Sequence, residues 1–305
     1  MLRSVTALLA SIARLHIVAI GALGTLTFAW ALCGVRAVDL PAFAACDWFV
    51  VNLVNRITDS VEDERNGIPG ADVVARHPWR AAGVALVVLA GSLAAAAVVA
   101  PATIPWRIGF HVLGALYNHR LLPRLARRAG EPARVRIKEM ALWKNVASAT
   151  GFLITCFALP LSTLPLRTDV TPTAVAVTMA FFFFLELGYE VLYDLRDVQG
   201  DALAGVRTWP VLLGAGGGAA IAVGQTLVSF GIVIVGFIAG VLPWRVAVMG
   251  AAPLLQLVVV SSRLPLSGRP NRVDSALCIG ITWLGAALLA TYHVWELLRL
   301  PGSTG

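Results

Sequence analysis

Apolar residues in this chain run in blocks of about twenty, the length an α-helix needs to cross the ~30 Å hydrocarbon layer of a bilayer. Nine blocks stand out: Leu15 to Val35, Ala37 to Arg56, Ala81 to Pro101, Thr103 to His119, Ala141 to Leu161, Thr171 to Tyr193, Leu213 to Val241, Trp244 to Ser262 and Asp274 to Leu298. Ala81 to Pro101 carries no charge at all. A membrane β-barrel would instead alternate apolar and polar positions over segments of about ten residues, and no such alternation runs through the chain. Prolines at 101, 105, 160, 165, 243 and 270 mark where helices stop and reverse. The pattern predicts an all-α, multi-pass membrane protein with nine spans, forming one transmembrane domain over residues 1–305.

Composition supports the same reading. With 58% hydrophobic and 13% charged residues and a mean hydropathy of +0.79, the chain has more apolar surface than one soluble core hides. Its net charge of +7 and the basic run Arg120, Arg124, Arg127, Arg128, Arg134, Arg136, Lys138 raise nucleic-acid binding as a class. A bilayer protein needs a basic cytoplasmic face anyway, so no nucleic-acid partner is expected. On a nine-span layout, all of the 24 Lys and Arg except Arg36, Arg107, Arg167, Arg245 and Arg299 fall on the side of the N-terminus and of the loops after spans two, four, six and eight. The positive-inside rule makes that side cytoplasmic, and its longer polar loops make it the working face. Met1 to Leu15, interrupted by Arg14, reads as an uncleaved interfacial helix. Cys33, Cys46, Cys156 and Cys278 sit singly in apolar stretches and read as small core residues.

The chemistry lies at two span ends. Span two closes on Asn55, Asp59 and Asp63, spaced by four and so expected on one helical face. Span six closes on Glu190, Asp194, Asp197 and Asp201, which at about 100° per residue fall within about 60° of one another. Stacked carboxylates repel and call for a cation, and hard carboxylate and amide oxygens suit Mg²⁺, which shares its shell with phosphates. A solvated helix end explains one such cluster. Two clusters on the same predicted face, both opening with an acid or amide followed four residues later by Asp, point instead to a bridged diphosphate.

Asp47 and Glu186 lie deeper in their spans, where a bare charge is costly. They are candidates to orient or deprotonate an acceptor, or to pair with each other or with His16. Phe181 to Phe184 and Trp48 are candidate cavity walls, and His111 and His293 read as structural.

The string from Asp194-Leu-Arg-Asp197 through Asp201, Gly205, Thr208 and Pro210 to Gly214 resembles the second signature of the UbiA superfamily of intramembrane prenyltransferases. Asn55-x3-Asp59-x3-Asp63, followed by Asn66, resembles the first, and the likeness in order, spacing and span count covers nearly the whole chain. Arg56 departs from the pattern, since many members carry Asp there. The resemblance implies a UbiA-like bundle around a central cavity and Mg²⁺-dependent transfer from an isoprenyl diphosphate to a small, aromatic or lipophilic acceptor that no motif identifies. It implies metal binding by Asn55, Asp59, Asp63, Asp194, Asp197 and Asp201, with Asp59, Asp63, Asp197 and Asp201 catalytic. Diphosphate binding falls to Tyr117, Arg124, Lys138 and Arg196, with Arg207 a weaker candidate. Lys144-Asn145 is similar to basic positions before span five. Asp47, Glu186 and Glu190 are left as acceptor-pocket candidates. Two alternatives remain open at this point: an intramembrane terpene cyclase of the same superfamily, and a secondary transporter coupling through its buried acids.

Overall fold

A computed structural model describes residues 10–65, 68–124 and 133–299. Asn66, Arg127, Arg128 and residues 1–9 of the expected interfacial helix lie outside the described residues. Helix α1 (Leu15–Cys33) ends where Gly34 turns into the left-handed region at φ 75°, its N–H returning to the Trp30 carbonyl. Helices α2 (Asp39–Thr58), α3 (Ser60–Arg65) and α4 (Ala71–Arg76) follow. Prolines seat the first turns of α5 (Pro78–Val99) and α6 (Ile104–Asn118), where a missing N–H costs nothing. A two-residue antiparallel ribbon, β1 (Leu122–Pro123) with β2 (Arg134–Val135), links α6 to α7 (Ala141–Leu153).

The fifth predicted span is one continuous rod whose middle turn, Ile154–Ala158, widens into a π-helix before α8 (Leu159–Thr163). Pro160 explains the widening, because it has no N–H to return to Cys156 and its ring crowds that carbonyl. Helix α9 (Pro172–Leu203) is capped by Thr171, whose hydroxyl accepts from the Ala174 N–H at 3.1 Å. Then come α10 (Trp209–Ile238), kinked at Gly214, the short α11 (Trp244–Ala247), α12 (Ala251–Ser261) and α13 (Ser275–Leu297), the last capped by Asp274.

The helices form a ring. Helix α1 packs on α2, α2 on α5 and α6, α6 on α7, α7 on α9, α9 on α10, α10 on α12, α12 on α13, and α13 returns to α1. Small residues bring the backbones together where helices touch most closely. A Cβ at Gly188 of α9 would come within 2.7 Å of the Thr226 hydroxyl and 3.1 Å of the Ala222 carbonyl on α10.

Each predicted span corresponds to a helix or a helix-turn-helix rod. Seven of them are long and apolar enough to cross a membrane, and with this fold they mark an integral membrane protein. The other two, α2 and α6, fall short of that standard: α2 carries Asp47, Asn52, Asn55 and Arg56, and α6 has 15 residues. Two findings correct the sequence reading. Asn55, Asp59 and Asp63 do not share one helix, because α2 ends at Thr58 and Asp59 leaves helical geometry (φ −106°, ψ 12°) before α3 begins. The sixth span also runs ten residues past Tyr193, so its whole acidic stripe lies on unbroken helix.

Candidate active site

Four helices present one face each to a common cavity of about 200 Å³. Its wall carries Trp48, Val51, Asn52 and Asn55 from α2 with Asp59 just past its end, Phe110, Leu113, Gly114 and Tyr117 from α6, Lys144, Ala147, Ser148, Gly151 and Phe152 from α7, and Glu190, Tyr193, Asp194, Asp197 and Asp201 from α9. Each set recurs every three to four residues, as one face of a helix must. Helix α7 runs antiparallel to the other three, yet its Lys144 end meets the acidic end of α9. The faces of α2 and α7 therefore grade from polar to aromatic in the same direction, and Phe110 of α6 joins them at the aromatic end. Asp63 from α3, Lys138 from the turn before α7, and Arg14, His16 and Ile17 at the start of α1 complete the lining named here.

The charged end is a set of ion pairs. Lys138 Nζ bonds Asp59 Oδ1, and Arg136 reaches the same oxygen at 3.4 Å. Arg56 Nη1 holds Asp63 Oδ2 at 2.7 Å. Lys144 Nζ lies 2.6 Å from Asp194 Oδ1 and 3.3 Å from Asp201 Oδ2, while Asn145 Nδ2 donates to Asp194 Oδ2 at 3.0 Å. Arg196 pairs with its neighbour Asp197 and lays its guanidinium over the Tyr193 ring, 4.6 Å from the centroid. Behind Arg136, Glu139 anchors both that residue (3.1 Å) and Arg120 (2.9 Å). Burial works against its charge, but the two guanidiniums prevail and hold its carboxyl below the ordinary value.

Further in, Ser148 donates to Glu190 at 2.7 Å. His16 Nε2 meets the Tyr193 hydroxyl at 3.2 Å, and Tyr189 donates to that same hydroxyl at 2.9 Å. The inner end is aromatic: Trp48 packs against Phe110 (centroids 5.1 Å) and Phe152 (4.2 Å) and donates from Nε1 to Thr155 at 3.1 Å.

The donor chemistry suits a divalent ion such as Mg²⁺. Both stripes offer hard oxygens, and the amide oxygen of Asn55 is buried with no hydrogen-bond partner, an arrangement a cation would satisfy. In the arrangement seen, every aspartate of the two stripes is engaged by a basic side chain, Glu190 is held by Ser148, and among the described residues no three acidic, His or Cys groups converge on one point.

Of the residues singled out from sequence, Asn55, Asp59, Asp63, Asp194, Asp197, Asp201, Tyr117, Lys138, Arg196 and Glu190 all line this cavity. Four others do not. Arg124 stands at the end of β1 and Arg207 on the exposed turn after α9, both outside the lining. Asp47 points instead into a closed ion pair: Arg107 donates to its two oxygens at 2.9 and 2.7 Å and to the Ser92 carbonyl and hydroxyl at 2.8 Å each, and His111 adds a contact at 2.9 Å. Arg107, counted from sequence only among the charges of the opposite side, is fully buried. Glu186 lines a separate cavity of about 60 Å³ among Tyr189, Gln256 and Thr282. Phe181 and Phe182 belong to the packed core rather than the cavity wall, and Phe183 pairs with Phe184. The sequence reading gave no site role to Tyr193, Ser148 or Arg14, and none to His16 beyond a possible partner for a buried acid. Lys144 it left as a loop resemblance, although its position one helical face from Ser148 and Gly151 was readable.

No protein-family model matches the chain, and no curated protein matches it in sequence. Solved structures do. A UbiA homolog from Archaeoglobus fulgidus bound to GPP and Mg²⁺ superposes with TM-score 0.68 at 15% identity, covering 93% of this chain and 97% of that one. The same homolog bound to DMAPP and Mg²⁺ gives 0.66 at 16% identity, again over 93% and 97%. Digeranylgeranylglyceryl phosphate synthase gives 0.55 at 12% identity, with 95% of each chain covered. The chain therefore has the fold of the UbiA homologs.

Proposed function

We propose that this protein is a Mg²⁺-dependent intramembrane prenyltransferase that ionises an isoprenyl diphosphate and passes the prenyl group to a small acceptor. The observation that carries this reading is the polarity of the cavity, with two carboxylate stripes and their basic partners at one end and an aromatic wall at the other. An allylic diphosphate has that same division, a highly charged head on an apolar tail. The structural neighbours that hold DMAPP or GPP with Mg²⁺ support it by fold alone.

In this reading Asn55, Asp59 and Asp63 hold one metal ion and Asp194, Asp197 and Asp201 another. Bound Mg²⁺ supplies positive charge to the leaving pyrophosphate. Lys138, Lys144 and Arg196, paired with these carboxylates in the structure, would neutralise the phosphate oxygens where a metal shares the carboxylates, and Tyr117 would donate a hydrogen bond beside them. Val51, Phe110, Leu113 and Phe152 keep water from the chain of the prenyl cation. His16, whose Nδ1 makes no hydrogen bond among the described residues, and Glu190, which accepts from Ser148, are the wall groups able to take the acceptor's proton. The whole chain acts as one domain of nine spans, with the N-terminus and charged mouth in the cytoplasm.

Pyrophosphate release by the purified protein in nanodiscs tests this, using isoprenyl diphosphates with Mg²⁺ or a chelator and a pool of acceptors. Mg²⁺-dependent release that falls at least a hundredfold in Asp59→Ala and in Asp197→Ala supports the assignment. A cyclic product formed without acceptor would redirect it to a terpene cyclase, and no release from folded protein would refute it.

A further inference from the structure

The cavity ends on three aromatic rings that come from three helices at nearly one depth. Trp48 stands seven residues before Asn55 on α2, Phe110 seven before Tyr117 on α6, and Phe152 eight after Lys144 on α7. At about 1.5 Å per residue each ring lies about 10–12 Å from the charged layer. The rings are in mutual contact, with Trp48 4.2 Å from Phe152 and 5.1 Å from Phe110, and Trp48 is pinned by its hydrogen bond to Thr155. Nothing yields behind them. Cys156 and Phe157 are completely buried, Phe157 stacks on Phe28 at 4.3 Å, and Phe182 meets Phe152 at 6.3 Å.

We propose that Trp48, Phe110 and Phe152 are the floor of the prenyl pocket and restrict the donor to short allylic diphosphates of about ten carbons. This rests on the reading of the charged end as the diphosphate site. An isoprene unit advances about 5 Å along four carbon–carbon bonds of about 1.5 Å each. Two units fill the distance from the charged layer to the rings, and a third would have to enter the close-packed core, whose side chains have no void to offer. Gly151 sets the width just above the floor. A Cβ there would lie 3.2 Å from Phe110 and 3.4 Å from Trp48, so the missing side chain is what keeps the last part of the cavity open.

The experiment is pyrophosphate release from donors of five, ten, fifteen and twenty carbons, with Mg²⁺ and the acceptor pool, by wild type, Phe110→Ala and Gly151→Val in nanodiscs. The wild type should show its highest kcat/KM at ten carbons, with at least a tenfold fall by twenty. Phe110→Ala should move the optimum to fifteen. Gly151→Val should lose tenfold or more at ten carbons while keeping the five-carbon donor, and Gly151→Ala, which adds less bulk, gives the same test if the valine variant does not fold. Equal use of ten and twenty carbons by the wild type, or variants that change all donors alike, would overturn the floor while leaving the diphosphate reading intact. No release from any donor overturns both.

Discussion

Asp47 is the residue whose replacement most sharply separates stability from catalysis. It is 1% exposed and Arg107 is 0% exposed, so neither charge has water to fall back on. Asp47→Asn keeps the shape but puts an amide NH₂ or a single carbonyl where two carboxylate oxygens accepted from Arg107 Nε and Nη2. One guanidinium bond is lost, a donor can face a donor, and a full positive charge is left inside the helix ring. Removing one member of a buried pair typically costs about 3–5 kcal/mol. The cost should sit in that range because Ser92 already takes two of Arg107's remaining donors and has no further oxygen to offer. The double variant Asp47→Leu/Arg107→Met removes both charges. It should recover most of the loss and end within about 2 kcal/mol of wild type, the residue being the two Ser92 oxygens left without their donor. Denaturant-induced unfolding in micelles, run as a double-mutant cycle, reads all four free energies. Folded Asp47→Asn should release pyrophosphate at the wild-type rate, since Asp47 does not line the cavity. An Asp47→Asn loss below about 1 kcal/mol refutes the electrostatic reasoning. A stable variant with selectively lost transfer would return Asp47 to the acceptor pocket.

Gly188→Val drives a branched side chain into the α10 backbone at Ala222 and should destabilise by about 1–3 kcal/mol in the same unfolding assay, whereas Gly224→Ala, which meets nothing within 4 Å, should not. Arg56→Ala strips Asp63 of its partner. The variant should be less stable without metal and gain more than wild type on Mg²⁺ addition, seen as a larger thermal shift, and an equal shift would mean that Asp63 does not meet the ion. On the opposite face, Arg167 and then Arg245 hold the Asp169 carboxyl down at about 2 from an ordinary 3.8. A lowered folded pKa gives stability that is complete above 3.8 and lost as pH falls towards 2. Asp169→Asn should therefore cost a constant amount from pH 7 to about 5, below about 1 kcal/mol because the carboxylate is half exposed, and the difference should narrow below about pH 4 and close only as pH nears 2.

Apolar run length located the helices to within a few residues at most ends, because bilayer thickness and proline leave little freedom. It could not see that Asp59 breaks α2, since the four-residue spacing of Asn55, Asp59 and Asp63 is the same on a continuous helix and on two with a bend between them. Acids were legible as a site because charges at span ends repeat, and ten of the singled-out residues do meet in one cavity. Their partners were less so. Lys144 and Arg124 have the same chemistry and similar loop-side positions, and only the antiparallel run of α7 against α9 decides that one bridges Asp194 and Asp201 and the other stays off the wall. Asp47 failed as a prediction for a related reason: the cost of a buried charge identifies a residue that must be satisfied, not the group that satisfies it, and Arg107 lies sixty positions away.

The ring closes between its last helix and its first, and this has a bearing on how the protein is made. Insertion proceeds in chain order, so α1 waits with one flank uncovered until α13 is delivered. The buried ion pairs of the cavity and of Asp47 need no such wait. Asp47 finds Ser92 and Arg107, Asp59 finds Lys138, and Asp194 meets Lys144 already in place as α9 enters. The final segment brings the partners of the opposite rim, Glu296 for Arg36 and His293 for Thr27 and Arg36, and the hydroxyl contact between Tyr189 and Thr282. A nascent chain stalled before α13 would thus have the charges of its cavity neutralised but its hydrocarbon flank open, a half-built vessel that lipid can enter and that quality control can recognise.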